Sequence, residues 1–249
     1  MPAATSYLLI VAGFVPSLVW LFVYLKKDCH PEPKNRIAQV FFVSMVMAPL
    51  AIIGQKLFVD AIRHFHAGYS YSHSLSFFLW AAFIEEVVKY LVVFFIILRT
   101  PDFDEPIDAL IYMITAALGF AALENILVLF RNISDGITIT TQIWILRFFG
   151  ATLLHALSSA LVGYFLALSW FYRHHSRKIV LVGLLIATFF HFVFNVTFVL
   201  FDPSLQARGS FNIALLSSSI VIAFLVAAVS FLFYQIKKRE LSTNSVITN

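Results

Sequence analysis

Seven apolar runs recur along the chain, each long enough to cross about 30 Å of hydrocarbon, which takes roughly 20 residues at 1.5 Å per residue of helix. No other feature constrains the fold as tightly. Their approximate limits are Tyr7–Leu25, Ile37–Phe58, Leu75–Leu98, Ile107–Phe130, Ile143–Phe171, Ile179–Leu200 and Phe211–Ile236. Runs of this length and apolarity read as membrane-spanning helices. The fold class expected is therefore all-α, a multi-pass transmembrane helical bundle of about seven spans. The composition fits, with 61% apolar and 12% charged residues, against a usual globular balance near 45–50% and 25%. The loops between runs are short and polar and leave no room for a soluble domain. Residues 1–239 thus read as one membrane domain and residues 240–249 as a short polar tail.

Basic residues set the expected orientation. No Lys or Arg precedes the first run, so it lacks the basic region of a cleavable signal peptide, and Lys26 and Lys27 follow it. It is expected to stay as an outside-to-inside anchor. With loops assigned to alternate sides, one side carries Lys26, Lys27, Lys34, Arg36, Arg99, Arg173, Arg177, Lys178, Lys237, Lys238 and Arg239. The other carries at most Lys56, Arg63, Arg131, Arg147 and Arg208, and Lys89 lies within the third run. Eleven against five places the N-terminus outside and the C-terminus in the cytoplasm of a cell-membrane protein. This asymmetry accounts for the net charge of +4 without a nucleic-acid partner. The chain has no Gly-rich phosphate loop, CxxC pair or HExxH motif. Its lone Cys29 excludes an internal disulfide.

The informative residues are the polar ones inside the runs. An acidic or basic side chain at a helix centre costs roughly 2.5–3.5 kcal/mol on insertion scales, so such groups turn toward a protein interior or a hydrated cavity. "FIEEVVKY" supplies Glu85, Glu86 and Lys89, and the lysine projects between the two acids at i+4 and i+3, within pairing reach of either. One lysine cannot neutralise both. "GFAALENI" supplies Glu124 and Asn125 behind small residues that allow close helix approach. "LLHALSSALVGY" puts His155, Ser159 and Gly163 on one stripe, and "HFVFN" puts His191 and Asn195 on one face. Each group alone could be a hydrogen bond that fixes helix packing. Depth argues for more. Measured from the outer ends, Glu85 and Glu86 lie about 15 Å deep, Glu124 about 9 Å, His191 about 14 Å and His155 about 12–18 Å, at 1.5 Å per residue. Four helices thus bring acids and imidazoles to one layer, which suits a hydrated site reachable from outside.

Taken in order, "FIEEVVKY", "DEPIDALIYMITAALGFAALENI", "HALSSALVGY" and "HFVFN" resemble the four signatures of the PrsW family of intramembrane proteases, related to CAAX-processing and bacteriocin-processing membrane endopeptidases. The resemblance spans about Phe83 to Asn195. It implies a multi-pass peptidase that cuts a membrane-anchored, anti-sigma-factor-like protein near its extracytoplasmic boundary. The family's glutamate pair falls on Glu85 and Glu86, its third glutamate on Glu124, its histidines on His155 and His191, and its last motif includes Asn195. Where the family often has an aromatic residue soon after the Glu-Asn pair, this chain has Ile126, Leu127 and Val128.

Amide hydrolysis fits these residue types. A carboxylate in a poorly solvated site, beside a second carboxylate, can accept a proton from water near neutral pH. The reading places Glu85 or Glu86 as base, His155 orienting water, and His191 with Asn195 stabilising the oxyanion, with no cofactor required. Zinc held by His155, His191 and a glutamate is the alternative. A Ser-His-Asp arrangement is unattractive, because Ser158 and Ser159 share a helix with His155 and the runs offer no aspartate to orient it. His64, His66 and His73 in the outer loop are a separate, weaker metal candidate. A proton-coupled transporter would also use buried Glu, Lys and His, but no pair of Gly/Pro-broken runs marks an inverted repeat. The orientation predicts that single-cysteine labelling in intact cells reaches the Tyr69–Ser72 loop and misses the Arg173–Lys178 loop; the reverse pattern would overturn it.

Overall fold

The computed structural model describes residues 3–26, 30–66, 68, 70, 74–200 and 210–247. Eight α-helices are described: α1 (Ala3–Leu25), α2 (Lys34–Phe65), α3 (Leu75–Ile96), α4 (Asp108–Asn132), α5 (Ile137–Leu146), α6 (Thr152–Phe171), α7 (Ser176–Leu200) and α8 (Ser210–Ile247). A π turn over Arg147–Ala151 joins α5 to α6. No strand occurs among the described residues. Among the described residues, six helical stretches are long and apolar enough to cross a membrane: Ala3–Leu25, Lys34–Phe65, Asp108–Asp135, Ile137–Phe171, Ser176–Thr197 and Leu216–Arg239. The chain is a multi-pass membrane protein. α3, expected as a further span, is set apart by Glu85, Glu86 and Lys89, all of them buried within the bundle.

Other expected limits move. α2 continues past Phe58 to Phe65, and α8 continues to Ile247, into the segment read as a tail. The fifth run starts at Ile137, so Arg147, counted among the basic residues flanking the spans, sits inside a continuous helical stretch. Cys29, His73, Arg208 and most of the Tyr69–Ser72 loop lie outside the described residues.

α4 is the axis of the bundle, buried along most of its length and packed against α1, α2 and α6. α6 in turn packs on α7 and α8, and α3 lies against α2 and α7. Between lipid and protein there is little hydrophobic driving force, so association depends on close packing and interhelical hydrogen bonds. Two glycines give that closeness. A Cβ at Gly119 would stand 2.1 Å from the Phe41 carbonyl oxygen of α2, and one at Gly163 would stand 2.7 Å from Leu110 Cα of α4. Phe22, Val46, Phe95, Leu185 and Phe224 point outward, as lipid-facing side chains should.

α1 is fixed to α5 and the π turn by two reciprocal tryptophan bonds. Pro16 lacks the N–H that would bond the Ala12 carbonyl, and Trp144 Nε1 donates to that oxygen at 2.8 Å instead. In return Trp20 Nε1 donates to the Phe148 carbonyl within the turn at 2.9 Å. Backbone groups freed by a proline or a wide turn need such partners in a medium without water.

Gly119→Ala is expected to destabilise the protein by about 1–3 kcal/mol, the usual cost of overpacking, because the obstacle is α2 backbone. Gly54→Ala, whose nearest neighbour is the Ile84 side chain at 2.9 Å, is expected to cost less. Thermal unfolding in detergent compares them, and equal losses would contradict the backbone-contact reading.

Candidate active site

Four helices deliver a single polar cluster into the middle of the bundle. α3 brings Glu85, Glu86 and Lys89, α4 brings Glu124 and Asn125, α6 brings His155, Ser158 and Ser159, and α7 brings His191. Gln55 of α2 and Arg147 of the π turn complete it. Glu86 and Lys89 are fully buried, and Glu85, His155 and His191 nearly so.

Glu86 is the hub. Its Oε1 accepts from Lys89 Nζ at 2.8 Å and Ser158 Oγ at 2.9 Å and lies 2.9 Å from His191 Nδ1, while its Oε2 accepts from Ser159 Oγ at 2.7 Å. A buried carboxylate is tolerated when its lone pairs are filled in this way. Lys89 also lies over the Phe120 ring at 5.0 Å. The lysine thus pairs with Glu86, leaving Glu85 to the amide of Gln55, whose Nε2 donates to Glu85 Oε1 at 2.9 Å. The other oxygen, Glu85 Oε2, is buried with no hydrogen bond from the described residues.

The partners assign the imidazole tautomers. His155 Nδ1 lies 2.8 Å from Lys89 Nζ, which can only donate, so Nδ1 accepts and Nε2 carries the hydrogen, donated to Glu124 Oε2 at 2.8 Å. His191 Nδ1 donates to Glu86, which turns its Nε2 lone pair toward Glu85 Oε2 at 3.4 Å. Two acceptor atoms face each other there without a donor between them. The rings of His155 and His191 meet edge to face, with centroids 4.9 Å apart.

Glu124 lies at the rim, its side chain 26% exposed, and also accepts from Arg147 Nη2 at 3.1 Å. Arg147 Nε donates to Asn125 Oδ1, and Asn125 Nδ2 donates to Thr152 Oγ1 at 3.0 Å. This chain ties α4 to the start of α6 beside the two imidazoles.

Glu85, His155 and His191 each offer a ligand atom, and these atoms lie within 4.8 Å of one another. The set suits a zinc-type ion, for which two imidazoles and a carboxylate are an established catalytic combination. Each histidine has its other nitrogen on a carboxylate, His155 on Glu124 and His191 on Glu86, the arrangement that orients metal-ligating imidazoles. Glu85 Oε2, which accepts no hydrogen bond from the described residues, fits a ligand role as well.

Of the residues singled out in the sequence, Glu85, Glu86, Glu124, His155 and His191 come together. Asn195, one turn beyond His191, is half-buried and makes no hydrogen bond among the described residues. His64 and His66 are exposed and distant in sequence from the cluster. Ser158 and Ser159 serve as donors to Glu86. Sequence reasoning missed Gln55 and Arg147. Gln55 carried a signal, a polar side chain within an apolar run, whereas Arg147 looked like a residue at a span's edge.

The profile of the PrsW family intramembrane metalloproteases matches residues 32–233. The chain belongs to this family. It is 31% identical over 189 residues to the protease PrsW of Geobacillus kaustophilus, covering 75% of this chain and 78% of that protein. It is 26% identical over 234 residues to the protease PrsW of Oceanobacillus iheyensis, covering 93% and 96%. To the protease PrsW of Bacillus subtilis it is 32% identical over 125 residues, 49% and 54% of the two chains. No solved structure matches the chain. Membership in the PrsW family indicates an intramembrane protease, and the polar cluster lies wholly within the matched region.

Removing one partner of the buried ion pair should be costly, because the other charge stays buried. Glu86→Gln is expected to destabilise the protein by roughly 3–5 kcal/mol. The double variant Glu86→Gln/Lys89→Met should recover much of that loss. Denaturation in detergent measures both, and a double variant no more stable than Glu86→Gln alone would show that the pair is not what Glu86 contributes.

Proposed function

We propose that this member of the PrsW family is an intramembrane endopeptidase that hydrolyses a peptide bond of a membrane-anchored protein near its extracytoplasmic boundary, in the manner expected for an anti-sigma-factor-like substrate. The observation that carries the reading is the convergence of Glu85, His155 and His191, each imidazole backed by a separate carboxylate. α3 is read as a seventh span, since all three of its ionisable side chains face the protein interior and none meets lipid. With seven spans, the basic-residue asymmetry gives an outside N-terminus and a cytoplasmic C-terminus.

Glu85, His155 and His191 would hold a zinc-type ion. Such an ion, when bound, lowers the pKa of water and polarises a carbonyl oxygen. The family's description as metalloproteases supports this choice. Glu86 holds the His191 ring by Nδ1, and Glu124 holds the His155 ring by Nε2, so neither imidazole can rotate without losing a short hydrogen bond. Ser158, Ser159 and Lys89 fill the remaining capacity of Glu86, which leaves it as an orienting group rather than a base.

A metal-free scheme has one observation in its favour. Lys89 Nζ stands on the His155 Nδ1 lone pair that a metal would need. In that scheme Glu85 takes the proton from water, because its Oε2 is the one carboxylate oxygen of the acid pair without a donor. A cut just outside a substrate helix suits either scheme, since irregular backbone there supplies an extended peptide without breaking helical hydrogen bonds in lipid.

Purified protein in liposomes is expected to cleave a single-span substrate with no ion gradient. Glu85→Gln should lower the rate about 100-fold or more while leaving an inserted, folded protein. Metal analysis of the active protein separates the schemes, stoichiometric zinc lost in Glu85→Gln supporting the metal centre and its absence the glutamate base. Ion flux without cleavage would overturn the peptidase reading in favour of a transporter.

A further inference from the structure

Arg147 neither lies among the sequence signatures nor touches the Glu85, His155 and His191 group, yet it is aimed at the site by an unusual piece of backbone. The π turn Arg147–Ala151 is closed by the Thr152 N–H bonding the Arg147 carbonyl. In an uninterrupted α-helix, residues eight apart such as Arg147 and His155 stand about 80° apart around the axis. The extra residue of a π turn takes back about 100°, which leaves the two within about 20° of one line. Trp20 and Trp144 hold the turn against α1 by their bonds to the Phe148 and Ala12 carbonyls. The guanidinium then spans two neighbouring residues of α4, with Nη2 on Glu124 Oε2 and Nε on Asn125 Oδ1.

The shared atom matters most. Glu124 Oε2 accepts both from Arg147 and from His155 Nε2. We propose that Arg147 is a positioning residue: it fixes the Glu124 carboxylate so that this group, opposite Lys89 at Nδ1, holds the His155 ring in place through its Nε2–H. Its role is exerted through Glu124 and Asn125, without contact to substrate, and the proposal rests on the reading of Glu85, His155 and His191 as the reacting centre. A lysine could supply the charge but not the fork, since two donors on one planar group are needed to engage Glu124 and Asn125 together.

The test uses the full chain reconstituted in liposomes, with Arg147→Gln and Arg147→Lys. Arg147→Gln should lower kcat about 10- to 100-fold at nearly constant KM, the range found when an outer hydrogen-bond partner is removed, and Arg147→Lys should recover only part of it. Two-bond proton–nitrogen NMR of 15N-histidine protein reads the His155 tautomer separately. A single Nε2–H form in the wild type giving way to a mixture in Arg147→Gln supports the proposal. Wild-type kcat in Arg147→Gln, or an unchanged tautomer with only lower thermal stability, overturns it. Should Arg147→Gln fail to insert, Arg147→Lys carries the same two readouts. A wild-type protein that cleaves nothing would refute the peptidase reading, while the tautomer comparison would still decide the role of Arg147.

Discussion

A fully buried carboxylate, Glu86, ties three helices together, and the rest of the site is arranged around it. Within α3 it pairs with Lys89, across to α6 it accepts from Ser158 and Ser159, and across to α7 it accepts from His191. In a bilayer interior an unpaired carboxylate would be prohibitive, so those partners are a condition of the fold as much as of any chemistry. They also fix the relative rotation of α3, α6 and α7, because a one-residue slip of any of these helices would swing its donor about 100° away.

Close backbone approach provides the other half of the constraint. Side chains as short as Ser158 and Ser159 can reach a carboxylate on another helix only if the helices lie near one another. Gly119 and Gly163 bring α2, α4 and α6 to backbone contact, and α3 and α7 then close over the faces of α2 and α6. Packing and hydrogen bonding thus depend on each other, as expected where lipid offers no hydrophobic drive for helix association.

Much of this was legible in the sequence for a simple reason: apolar length reports spans, and an ionisable residue in a span reports an interior face. Glu85, Glu86, Glu124, His155 and His191 stand out that way, and counting 1.5 Å per residue along each run brings them to one layer. What escaped was what breaks the uniform helix. Arg147 was placed at a span's edge because nothing in "WILRFFGATLLH" announces a π turn that carries α5 onward into α6. Asn195 shares a helical face with His191 by spacing, yet only His191 enters the hydrogen-bonded cluster, since spacing fixes a direction and not a partner. α3 shows the converse difficulty. The three ionisable residues that set it apart from the other spans are the ones that mark the cluster.

Glu85 and Glu86 were indistinguishable as a pair in the sequence, and the backbone separates them. Adjacent residues on a helix diverge by about 100°, so two carboxylates side by side in the chain meet different sets of partners, here with only His191 in common. Glu86 turns into the crowded interface of α3 with α6 and α7, where donors fill both oxygens. Glu85 turns toward α2, where Gln55 takes one oxygen and the other is left beside His191 Nε2. A saturated carboxylate is a poor base and a poor ligand, because any new partner must displace an existing one. The unsaturated one can accept a proton or a cation at no such cost. The difference between a saturated and an unsaturated acid therefore follows from helix geometry and the placement of two serines, a lysine and a histidine around one of the two.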